Sequence, residues 1–142
     1  MIEDGFEYTR ALERISAGTA ELVRAGDAGE ARALLENGPF HAVLLDVVFD
    51  RTAPELLVGR DQELMARFGG DRERATDHLA RQQGFFIADA LAPRLVETRV
   101  LMAYDFSGDP DRLEALRERL PGLEGIREGT GLDDVLARLL AD

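Results

Sequence analysis

Near the middle of the chain, His41-Ala42-Val43-Leu44-Leu45 runs with no polar break after the leading histidine and ends at Asp46. A strand with one wet face alternates polar and apolar residues. A near-continuous apolar run fits a strand covered by helices on both faces. Arg99 to Tyr104 repeats the pattern, Leu123 to Arg127 repeats it more weakly, and Glu21-Leu22-Val23-Arg24 is a short strand candidate. Between these runs lie helical patterns. Phe6 to Ile15 spaces Phe6, Ala11, Leu12 and Ile15 helically. Asp27 caps a helix with Ala28, Ala31, Leu34 and Leu35 on one face, ended by Gly38-Pro39. Asp109-Pro110 opens another with Leu113, Leu116 and Leu120 inward, and Leu132 to Leu140 is amphipathic. Strand and helix in alternation predict an α/β chain around a parallel sheet.

Composition narrows what such a chain can do. The 142 residues suffice for one domain with a real core. The net charge of −11 repels phosphate backbones and anionic lipid, so neither nucleic acid nor a membrane is an expected partner. Cysteine is absent, and all 17 basic residues are arginine. Those two absences exclude disulfides, thiol nucleophiles, a Walker-type phosphate loop and Schiff-base chemistry. No apolar run reaches the ~18 residues of a membrane span, and Met1-Ile2-Glu3-Asp4 is not a signal peptide.

One segment breaks the rhythm. Roughly forty residues separate Asp46 from the helix holding Phe85, Phe86 and Ile87, where such connections usually take a few. This insertion, about residues 50–83, reads as partly helical, from Gln62 to Phe68 and from Asp71 to Gln83, split by Gly69-Gly70. Leu56, Leu57, Val58, Leu64, Met65 and Phe68 either pack it over the sheet edge or expose an apolar patch. Arg72, Arg74 and Arg81 read as a solvated helix face or a docking surface. Phe85 and Phe86 read as core, and His41 and His78 as an exposed strand residue and an insertion-helix residue.

The run Gly29-Glu30-Ala31-Arg32-Ala33-Leu34-Leu35-Glu36-Asn37-Gly38-Pro39-Phe40-His41-Ala42-Val43-Leu44-Leu45-Asp46-Val47 resembles the second helix and third strand of the receiver domain of bacterial two-component response regulators. The resemblance covers nearly the whole chain, residues 1–142, as one receiver-like domain. It implies a three-layer, flavodoxin-like sandwich with a five-stranded parallel sheet of order 2-1-3-4-5 and the insertion after the third strand. It also implies Asp46 as phosphoacceptor and Mg²⁺ held weakly by Glu3, Asp4 and Asp46. The chemistry is coherent: a carboxylate can attack phosphorus, and magnesium cancels the repulsion between carboxylate and phosphate while preferring few carboxylates plus water and phosphate.

The departures concern the response to phosphate. Only Met1 and Ile2 precede Glu3, so either the start lies upstream or the strand is a stub. The family's lysine has no counterpart; Glu128 stands in its place, followed by Gly129 where a proline is usual. The family's small hydroxyl residue is replaced by Met102, Ala103 or Tyr104, and Ser107 falls beyond the strand end. The expected function is therefore an atypical, degenerate receiver of the bacterial cytoplasm. It would signal through protein contacts with a sensor kinase or a downstream target, and a homodimer stays open. A small magnesium-dependent phosphatase using Asp46, or a purely structural partner-binding domain, are the alternatives. No positioned general acid or phosphate clamp favours an enzyme.

Overall fold

The computed structural model describes residues 1–60 and 62–141. The insertion's Asp61 falls outside that description. Among the described residues three strands form, β1 (Ala42–Leu45), β2 (Arg99–Met102) and β3 (Leu123–Gly125), all parallel in the order β1-β2-β3. Alternation along them builds two cores. Val43, Leu45, Val100, Met102 and Leu123 face one side, and Leu44 and Leu101 face the other. Burying each such side chain contributes about 1.5–3 kcal/mol.

Helices α1 (Glu7–Ser16) and α7 (Leu132–Leu140) cover the second side with Leu12, Val135 and Leu139. Helices α2 (Ala28–Asn37), α5 (Gln83–Leu95) and α6 (Pro110–Arg117) cover the first. Asp27 accepts from the Gly29 and Glu30 amides, and Asp109 from that of Arg112, so both expected caps are in place. Phe6 does not join the core. It is exposed, lying under the guanidinium groups of Arg10 and Arg24.

The five-stranded sheet of order 2-1-3-4-5 is not what the chain forms; the sheet has three strands. Where the other two were expected there are isolated parallel bridges, Ile2 to Ala25 and Ile2 to Leu45. Ile2 takes the Asp46 amide on its carbonyl and donates to that of Leu44. On its other side the Glu3 amide donates to Ala25 and the Ala25 amide to Met1. The pairing stops there because Glu3 turns away to meet α1, and residues 21–24 form no ladder.

Residues 50–83 form a 3₁₀ turn Pro54–Leu56 that the pattern did not signal, then α3 (Gln62–Arg67) and α4 (Arg72–Arg81) where two helical stretches were expected, the second ending short of Gln83, which opens α5. Leu57 and Leu64 are buried in the main core and Val58 and Phe68 pack against it, so the segment is fastened to the domain rather than standing off it; Leu56 remains exposed. Gln83, itself buried, accepts from the Val58 amide at 2.7 Å and donates to the Val58 carbonyl at 2.9 Å. Among the described residues no helix is long and apolar enough to cross a membrane.

Candidate functional site

The Asp46 side chain leaves the carboxyl end of β1, half-buried, with its amide bonded to Ile2 and Glu3 next along that neighbouring segment. Open α/β sheets place their sites at this end of the strands. Asp46 Oδ1 accepts from the Val47 amide at 2.7 Å. Burial pushes its carboxyl above the usual aspartate range, and the charges of Glu3 and Asp4 push the same way, against the Val47 and Val48 amides.

All three expected carboxylates thus sit in one neighbourhood, but each is engaged by backbone. Glu3 is buried, its Oε2 accepting from the Tyr8 amide at 3.1 Å and its Oε1 from that of Thr9 at 2.7 Å. A carboxylate there satisfies orphan donors of the first turn of α1. Asp4 Oδ2 accepts from the Arg51 amide at 2.6 Å and the Thr52 hydroxyl at 3.4 Å, which ties the loop after β1 back to the start of the chain. Among the described residues no group of three or more His, Cys, Asp or Glu side chains converges as a metal cage. Asp4 and Asp46 remain a donor set that suits magnesium, which takes one or two carboxylates and fills its shell with water and phosphate.

The chain beyond Asp46 is held closely. The Gly84 amide donates to the Val47 carbonyl at 3.0 Å and the Phe49 amide to that of Ala80 at 2.8 Å, so the start of α5 lies along this segment. Across the sheet, Leu45 pairs with Met102, which makes Ala103 the residue beside Asp46. Met102 is fully buried, and Tyr104 is in edge contact with Phe85 and Phe106 at 5.1 and 4.8 Å. Ser107 lies in a 3₁₀ turn, Phe106–Gly108, and is exposed.

Glu128, at the expected lysine position, is exposed, and its amide donates to Asp105 Oδ2 at 3.0 Å. Asp105 Oδ1 accepts from the Ser107 amide at 2.9 Å. Bonds from Ser107 and from the Glu128 amide, with Arg127 nearby, lower the Asp105 carboxyl to about 2. One carboxylate therefore ties the loop after β2 to the loop after β3. No family model, curated protein or solved structure matches this chain.

Sequence reasoning passed over Tyr8, Gln83 and Asp105. The Tyr8 hydroxyl is raised by burial and by the charges of Asp46 and Glu3, which puts an aromatic hydroxyl in the acidic neighbourhood. Its signal was its place in the first turn of α1. Asp105 carried the signal of an Asp two residues before a Ser, a turn former. Gln83 carried one as well, the second of two adjacent amides ahead of the apolar Phe85-Phe86-Ile87 run.

Proposed function

We propose that this chain is an atypical receiver-like signalling domain that works by contact with a protein partner, a sensor kinase or a downstream target. In this reading Asp46 is its phosphoryl acceptor, and modification there is poorly transmitted. The observation that carries the reading is Asp46 half-buried at the carboxyl end of β1 with Glu3 and Asp4 beside it, its carboxyl raised by burial first and by their charges second. Asp4 and Asp46 would hold Mg²⁺, which supplies charge neutralisation between carboxylate and phosphoryl oxygens. Glu3 orients the start of α1 and adds negative charge, and Asp46 would supply the oxygen that bonds to phosphorus as the bond from phosphorus to the donor's leaving group breaks, the leaving group departing with the donor.

Poor transmission follows from the surroundings. Ala103 has no hydroxyl to meet a phosphoryl oxygen, and Glu128 brings a negative charge where a cation would be needed. The two loops that would have to move are already joined through Asp105. A ligand shifts a conformational equilibrium only by its differential affinity for the two states, so the coupling falls below the ~1 kcal/mol at the low end of allosteric systems.

Beryllofluoride with magnesium, followed by amide NMR, tests this reading. Shifts confined to residues 3–8 and 46–52 are expected, and they should vanish in Asp46→Ala. Absence of any shift at Asp46 would overturn the acceptor site. Shifts spreading through the loop after Tyr104 into α7 would overturn the uncoupled switch.

A further inference from the structure

Two grooves of this acidic chain are lined by more arginines than acids. They share His78 and run along the insertion and on to α6. The larger, of about 1030 Å³, lies between the loop after β1 and α4 and is lined by Arg60, Arg72, Arg74 and Arg81. The smaller, of about 410 Å³, lies between α4, α5 and α6 and is lined by Arg67, Arg112 and Arg119. Together they hold seven of the 17 arginines but only four of the 28 acidic residues, Asp50, Glu73, Asp77 and Asp89.

Two of those acids are spent on ion pairs, Asp77 with Arg81 and Asp89 with Arg119. Among the described residues the other five arginines form no ion pair. Arg60 leans on the Pro54 carbonyl and the Thr76 hydroxyl, both neutral. Arg112 stacks on Phe85 at 3.4 Å and donates to the Gln82 amide oxygen. Arg74 lies over Phe68 at 5.8 Å. These contacts position guanidinium groups without neutralising them. The floors between them are apolar, Leu57 and Phe68 in one groove and Phe86 and Leu116 in the other.

We infer that this band is the docking surface for an acidic protein segment carrying an apolar or aromatic side chain. Charge complementarity selects the acid, and the apolar floor selects the anchor. The larger groove already reaches the upper size of small-ligand pockets, and the band continues beyond it, which suits an extended peptide. A nucleic acid is disfavoured because the chain as a whole carries a net charge of −11, which repels a phosphate backbone wherever it leaves the band. The inference extends the contact-driven part of the proposed function and is independent of Asp46 chemistry.

The probe is a fluorescein-labelled peptide of Glu and Asp around one central Phe, roughly a dozen residues long, with a single-stranded DNA of equal charge as comparison. The intact protein should bind the peptide, more weakly as salt rises, and bind the DNA less well. The charge reversal Arg72→Glu/Arg74→Glu should weaken peptide binding about tenfold or more, each tenfold being about 1.4 kcal/mol. Reversal of two exposed α1 arginines, Arg10→Glu/Arg14→Glu, should leave it within about twofold. Peptide-induced amide shifts in the parent protein should map to residues 57–81 and 112–119, which locates the site even if the reversed variant misfolds. No peptide binding at low salt, tighter DNA binding, or shifts elsewhere would each overturn the inference, whatever beryllofluoride does at Asp46.

Discussion

Asp46 and Asp105 follow neighbouring strands of one sheet, and their carboxyls are driven in opposite directions. Both accept backbone amides. Asp46 is half-buried between Glu3 and Asp4, and burial outweighs its hydrogen bonds, so its charged form is disfavoured. Asp105 is also only partly exposed, but it receives bonds from Ser107 and the Glu128 amide with Arg127 close by, and these hold its carboxyl down to about 2, so its charged form is favoured. Identical side chains at similar topological positions thus do different work. The end of β1 is a place where negative charge is under tension and a cation or a proton is welcome. The ends of β2 and β3 are a closed clamp that needs nothing added. A domain arranged this way can accept chemistry at the first place without passing it to the second.

The largest expected effect comes from spacing at the end of β1. A Cβ on Gly84 would lie 2.2 Å from the Asp46 carbonyl oxygen and 2.7 Å from the Val47 Cα, both backbone atoms with nowhere to go. Gly84→Ala should therefore destabilise the protein by about 3 kcal/mol, as overpacking does, although alanine is otherwise the better helix former. At the other end the comparison reverses. Gly108, in the turn after β2, has open space at its Cβ, and Gly108→Ala should be neutral or slightly stabilising. Urea denaturation of both variants checks the contrast, and equal losses would remove it.

The apolar runs of β1 and β2 were legible because a strand buried on both faces has few residue choices. Asp46 was legible as the residue where one such run stops. The extra strands were not formed because pairing depends on how far two segments run together, and Ile2 and Ala25 meet for a single bridge before Glu3 turns into α1. Proximity of Glu3, Asp4 and Asp46 was readable by resemblance. What their oxygens bind was not, since Asp4 reaches Arg51 and Thr52 in a loop 47 and 48 residues away. The Asp105 clamp closes over 23 residues to Glu128 and is equally invisible to a local pattern.

A smaller effect comes from removing the tension at Asp46. Its folded carboxyl is raised, so the ionised form costs stability above that raised value, and the cost disappears as pH falls below the ordinary aspartate range. Asp46→Asn should raise Tm at neutral pH by a few degrees at most, and the gain should shrink towards pH 4. Magnesium should raise Tm of the parent at neutral pH and leave Asp46→Asn unmoved. Thermal melts at both pH values, with and without the cation, check this. A variant less stable at neutral pH, or an equal response to magnesium, would mean that Asp46 is not under electrostatic tension.

The smallest effect, local rather than global, concerns the clamp. The Asp105 carboxyl is lowered to about 2, so the interactions of its charged form are complete at neutral pH. They are lost only as pH falls from the ordinary aspartate range through about 2. The Glu128 and Ser107 amides, which donate to it, should keep their shifts through the ordinary aspartate range and move together only as pH approaches about 2. Asp105→Ala should leave the Asp46 region unchanged while the Glu128 amide loses its protection against hydrogen exchange. The loops after β2 and β3 would then be free to respond, and beryllofluoride shifts in Asp105→Ala should spread further from Asp46 than in the parent. An unchanged spread would show that the missing hydroxyl at Ala103 and the charge of Glu128 decouple the site without help from the clamp.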